Sequence, residues 1–127
     1  MNGLHLIADL HDCRCTPSLL LDAPELEIYC VSACQRHGLT VVGRLFHAFR
    51  DTNGQAAGVT GTVVLAESHL AIHTWPEIGA VTLDVYVCNF SGDNSARAQA
   101  LFAEVLARFE PARIERHTVR RGQLVAP

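Results

Sequence analysis

The 127-residue chain predicts an α+β fold, a two-layer sandwich with one antiparallel sheet and two helices on one face. Two segments carry apolar residues at helical spacing, and six others are alternating or apolar enough to be strands. Their order, β-α-β-β-β-β-α-β, puts four strands in succession, which short connections pair antiparallel. The length suits one domain over residues 1–127 with one core.

Residues 4–10 (LHLIADL) predict the first strand, and residues 11–17 an irregular turn. Pro24 suits a first helical turn and Gly38 a C-terminal cap. The helix between them, over residues 24–37, has Leu26, Tyr29, Cys30, Ala33 and Cys34 as its stripe. Residues 39–49 predict a strand, and the polar, glycine-bearing residues 50–58 a mobile hairpin connection. Residues 59–66 and 70–75 predict two more strands. Residues 80–88 alternate, with Val81, Leu83, Val85 and Val87 on one face. After a turn at 89–94, residues 95–109 predict a helix with stripe Ala98, Leu101, Phe102, Val105, Leu106 and Phe109, ended by Pro111. Residues 112–121 predict a charged edge strand.

Apolar residues make up 49% and charged residues 18%, a globular balance. A net charge of −3 argues against nucleic acid or an anionic membrane as partner. No apolar run is long enough to span a bilayer, and the start of the chain has no targeting pattern, so a cytoplasmic protein is expected. Five cysteines, an odd number, predict reduced thiols. Cys13 with Cys15, and Cys30 with Cys34, do not have zinc-finger spacing, and no metal is expected.

The chemistry is concentrated in residues 67–77, ESHLAIHTWPE, followed by Cys88. Period two puts Glu67, His69, Ala71, His73 and Trp75 on one face of a strand, and Ser68, Leu70 and Ile72 on the other. Either Glu67-Ser68 forms a bend or bulge, or Ser68 and His73 are no pair. There is no G-x-S-x-G elbow and no H-E-x-x-H metal pair. Taken singly, the serine reads as solvated, His73 as a core histidine, and Cys88, Phe46 and Phe49 as packing.

The run A-E-S-H followed by I-H-T-W-P-E closely resembles the self-processing site of bacterial S-adenosylmethionine decarboxylases of the small, pyruvoyl-dependent type. HLIADLHDC near the start, FHAF at 46–49, GVTG at 58–61 and DVYVC ending at Cys88 extend the resemblance over nearly the whole chain. It implies a proenzyme that cuts itself between Glu67 and Ser68 into a β chain, 1–67, and an α chain, 68–127. Ser68 would become a pyruvoyl group that takes the substrate amine as a Schiff base and serves as electron sink. His73 matches the processing base, Thr60 a hydroxyl that stabilises the oxyanion of the acyl shift, and Cys88 the thiol that returns a proton. Glu77 matches a carboxylate for ribose hydroxyls, and Phe49, with Phe46, an aromatic face for adenine. The resemblance also implies decarboxylation of S-adenosylmethionine to the aminopropyl donor for spermidine. It further implies a homodimer whose sites are completed by both protomers.

Two features depart from the family's pattern: residues 50–58 make a longer loop than in compact members, and Asn89-Phe90-Ser91 follows the cysteine. His69 has no assigned role. An ornithine or arginine decarboxylase of the same family is the alternative activity, and an unprocessed dimerisation or ligand-binding module the non-enzymatic one.

Overall fold

The structure, a computed structural model, describes residues 2–125. Six strands form one antiparallel sheet: β1 Gly3–Cys13, β2 Val41–Arg50, β3 Ala56–Leu65, β4 Ser68–Trp75, β5 Ala80–Cys88 and β6 Pro111–Arg121. Their spatial order is β2-β3-β4-β5-β1-β6, so β6 is an edge strand as its charges predict. The main helices are α2, Ala23–Arg36, and α3, Ser95–Arg108; a four-residue helix α1, Ser18–Leu21, precedes α2.

The core lies between the helices and one sheet face. Leu6, Ala8 and Leu10 of β1, Val59 and Val63 of β3, Leu70 and Ile72 of β4, and Val81, Leu83, Val85 and Val87 of β5 alternate inward. Leu26, Cys30, Ala33 and Cys34 of α2 and Leu101, Phe102, Val105 and Leu106 of α3 meet them. Burial pushes the Cys30 thiol well above its ordinary value and Cys34 up to about 12, with the Cys34 charge adding to the shift at Cys30. These are inert packing groups. The buried Thr74 is satisfied on both sides: its hydroxyl donates to the Leu20 carbonyl at 2.8 Å and accepts from the Val59 amide at 2.8 Å.

Asp22 caps α2 by accepting from the Glu25 amide at 3.1 Å, and Pro24 occupies its first turn. The two long helices are clamped at Glu104. Its carboxylate accepts from Tyr29 at 2.8 Å and Arg36 at 2.6 Å, with a His37 ring nitrogen at 3.0 Å. Desolvation opposes ionisation of Glu104, but the Tyr29, His37 and Arg36 hydrogen bonds outweigh it and lower its pKa.

Three boundaries differ from the expected ones. β1 runs on to Cys13, because its later residues still pair with β6. β4 begins at Ser68, not at residue 70. The connection expected over 50–58 is a closed turn: strand pairing reaches Arg50 opposite Ala56, and Asp51 caps the turn by accepting from the Asn53 and Gln55 amides at 2.8 and 2.9 Å.

Phe46 lies across Gly61, its cross-strand partner; a Cβ at Gly61 would stand 2.1 Å from the Phe46 ring. Gly61→Ala must therefore displace the ring from the core edge. It is expected to cost about 1–3 kcal/mol, read as a lower urea midpoint.

Candidate active site

Among the described residues, the second sheet face carries no helix. It presents Phe49, Thr60, His69, His73, Asp84, Tyr86 and Cys88, whose strand positions alternate with those facing the core. Leu45 is 75% exposed there, Phe49 49%, Val64 45%, Trp75 39% and Val119 44%, an apolar content unusual for solvated sheet surface.

The candidate residues divide between the two ends of the sheet. At one end, Ala66 and Glu67 form the two-residue turn joining β3 to β4, with Leu65 opposite Ser68. Glu67 has φ 66°, the left-handed region, which costs a non-glycine residue about 1–2 kcal/mol. This strain adjoins the Glu67-Ser68 peptide. The Ser68 hydroxyl donates to the Ala66 carbonyl at 3.3 Å, and Glu67 accepts from the Ser91 amide at 3.3 Å. The second contact draws the loop after Cys88 toward the turn. Across the ladder Ser68 faces Val87, so Cys88 is one residue beyond its partner.

At the other end, Thr60 and His73 are cross-strand partners, with the Thr60 hydroxyl 3.1 Å from His73 Nδ1. His47 sits opposite Thr60 on β2, and its ring contacts Phe49 at 4.8 Å. Phe49 pairs with Gly58, where a Cβ would stand 3.3 Å from the Pro76 ring. Glu77 lies exposed in the adjoining 3₁₀ turn, Pro76–Ile78. Phe46 is not with them. Three residues from Phe49 on a strand, it points to the helix side, so the two rings do not form one platform.

A straight strand holds Ser68 and His73 apart. β4 is regular from Ser68 to Trp75, with no register shift against β3 or β5. Five residues at roughly 3.4 Å each put the two about 17 Å apart along the strand, on opposite faces. They do not meet within one chain.

Beside Ser68 lies a cluster that the sequence reading did not assemble. The Nε2 atoms of His5 and His69 each lie 2.9 Å from Asp84 Oδ2. Arg121 Nη1 is 3.1 Å from His5 Nδ1, and arginine only donates, so His5 accepts there and donates through Nε2 to Asp84. His5, His69 and Asp84 offer three ligand atoms within 4.8 Å of one another. This hydrogen-bonding pattern occupies the His5 Nε2 lone-pair position with a proton. His5 and His69 also flank Tyr86, with ring centroids at 5.8 Å from it in both cases. The alternation of Asp84, Tyr86 and Cys88 was visible in DVYVC; the pairing of β1 with β5 that adds His5 was not. A cleft of about 490 Å³, lined in part by Asn89, Asp93, Gln99 and Arg120, lies beside the end of β5 and does not include Ser68 or His73.

No helix of the described residues is long and apolar enough to cross a membrane. Residues 4–122 match the family model described as S-adenosylmethionine decarboxylase. The chain is 38% identical over 120 residues to an S-adenosylmethionine decarboxylase proenzyme of Parasynechococcus marenigrum, spanning 94% of this chain and 83% of that one. A proenzyme of the same name from Picrophilus torridus is 36% identical over 125 residues, spanning 97% and 86%. The crystal structure of the adenosylmethionine decarboxylase from Aquifex aeolicus superposes with a TM-score of 0.81 at 30% identity, covering 98% of this chain and 94% of that one. With this agreement along nearly its whole length, in sequence and in fold, the chain belongs to the S-adenosylmethionine decarboxylase family.

Proposed function

We propose that this chain is a proenzyme that cuts itself between Glu67 and Ser68 and then decarboxylates S-adenosylmethionine, giving the aminopropyl donor for spermidine synthesis. The observation that carries this reading is the position of Ser68. It opens β4 directly after a left-handed residue, with Cys88 one residue beyond its cross-strand partner.

Self-cleavage uses only groups of the chain and one water. The Ser68 hydroxyl attacks the Glu67 carbonyl carbon; the C–N bond breaks as the C–O bond forms, and the amide becomes an ester lacking amide resonance. Thr60 supplies a donor to the oxyanion and His73 takes the proton. Loss of the Ser68 α-proton expels the Glu67 carboxylate and leaves dehydroalanine. Water then replaces the nitrogen as ammonia, ending the α chain, 68–127, in a pyruvoyl group and the β chain, 1–67, in Glu67. The site fits this group: Ser68 is an end residue, and cleavage of the turn frees it from the hairpin that holds it.

The pyruvoyl group supplies the electron sink for decarboxylation. The Cys88 thiol then returns a proton to the substrate α-carbon. Phe49 offers a ring for adenine and Glu77 a carboxylate for ribose hydroxyls, both at the His73 end of the face. A reducing cytoplasm suits this chemistry and the cysteines, none of which forms a disulfide among the described residues.

Two copies are needed in this reading. A homodimer packed through the bare sheet faces, with its two-fold axis across them, brings the Ser68 end of one protomer to the His73 end of the other. It also covers Leu45, Val64 and Trp75.

A substrate panel tests the activity. Labelled S-adenosylmethionine is expected to release CO2 at least about a hundredfold faster than ornithine, arginine or lysine at matched concentration. Release from ornithine or arginine alone would replace the substrate while keeping the chemistry.

A further inference from the structure

The open face carries a phenol that no step above uses. Tyr86 is two residues from Cys88 on β5, so both side chains leave the same face. Its hydroxyl lies at the Cys88 end of the strand, beside Gly122 and next to Gly3, the cross-strand partner of Cys88. The ring is half-buried among polar neighbours: the Arg121 guanidinium lies 4.4 Å from its centroid, and His5 and His69 stand at 5.8 Å. A Cβ at Gly3 would come within 3.0 Å of the ring, and one at Gly122 within 2.5 Å of the hydroxyl. Only glycines let the backbone close on Tyr86 this tightly. Asp84, holding both histidines, fixes those walls.

We propose that Tyr86 is a positioning residue for the protonation step, its hydroxyl donating to Cys88 Sγ and stabilising the thiolate formed when the thiol gives up its proton. This rests on the reading of Cys88 as proton donor. When the substrate α-carbon takes the proton, the S–H bond breaks, a C–H bond forms and the electron pair stays on sulfur. A phenol donor at that sulfur is worth more to the anion than to the thiol, so it favours transfer. It also fixes the thiol's direction, which decides whether the proton reaches the substrate carbon or the carbon derived from Ser68. Protonation of the latter would leave alanine at the α-chain N-terminus and end turnover. Burial and the Cys88 charge raise the Tyr86 pKa and Arg121 opposes them; a phenol is in its donor form at neutral pH in any case.

The test is Tyr86→Phe, which keeps the ring and removes the donor. The variant is expected to self-cleave completely and to keep KM within about twofold. Its kcat should fall about tenfold, the size of one hydrogen bond to an ionised group. Mass analysis of the α chain after a fixed number of turnovers should show about tenfold more alanine end. Cys88→Ala should show both defects more strongly, and adding Tyr86→Phe to it should change nothing further. Wild-type kcat and alanine fraction in Tyr86→Phe, beside an impaired Cys88→Ala, would overturn the role of Tyr86 alone. So would failure of Tyr86→Phe to self-cleave, or an equal loss on the Cys88→Ala background. Wild-type turnover in Cys88→Ala would overturn the reading of Cys88 on which this rests.

Discussion

Replacing Ser68 by alanine is expected to leave one uncleaved chain and to lower decarboxylation by at least about a thousandfold. No neighbouring group replaces the lost one. The ester requires a hydroxyl on the residue that follows the scissile carbonyl, and the β4 hairpin places only Ser68 there. Without the ester there is no elimination and no pyruvoyl group, so both readouts must fall together. Alanine fits the site, because Ser68 lies at a strand end and its hydroxyl makes one 3.3 Å contact with the Ala66 carbonyl. Unfolding would therefore not explain the loss, and an unchanged thermal midpoint checks this. Cleavage or full activity in Ser68→Ala would remove Ser68 from the mechanism.

The second large effect is complementation between inactive chains. His73→Ala alone is expected to slow self-cleavage by roughly 10²–10⁴-fold, the usual contribution of a general base. Co-expressed with Ser68→Ala, it should be rescued. A mixed dimer joins Ser68 and Cys88 of the His73→Ala chain to Thr60 and His73 of the other. At equal expression half the dimers are mixed and each holds one competent site, so activity should return to about one quarter of wild type. Thr60 and His73 are 3.1 Å apart on one half-site, so Thr60→Ala and His73→Ala should not rescue each other. Rescue of that pair, or none with Ser68→Ala, would contradict the two-chain site.

Much of this was legible in the sequence because it rests on local periodicity. The alternation of residues 80–88 coincides with β5, and the two helices lie within one residue of their expected bounds. α1 escaped because four residues are too few to show a helical period. The turn at Asp51 looked like a loose loop because its polar residues are spent on each other. The separation of Phe46 from Phe49 was available from strand parity, since an odd spacing puts two side chains on opposite faces. The cluster around Asp84 was not. It depends on β1 crossing the fold to lie beside β5, a pairing between residues more than seventy apart, which no local pattern encodes.

The central claim, that Ser68 is converted by self-cleavage, is tested most directly by the intact mass of the freshly purified protein under denaturing conditions. Two chains are expected, one ending in Glu67 and one beginning with a pyruvoyl group at position 68. Their summed mass should equal that of the precursor plus one water minus one ammonia. An active protein that runs as a single chain of 13.8 kDa would contradict it.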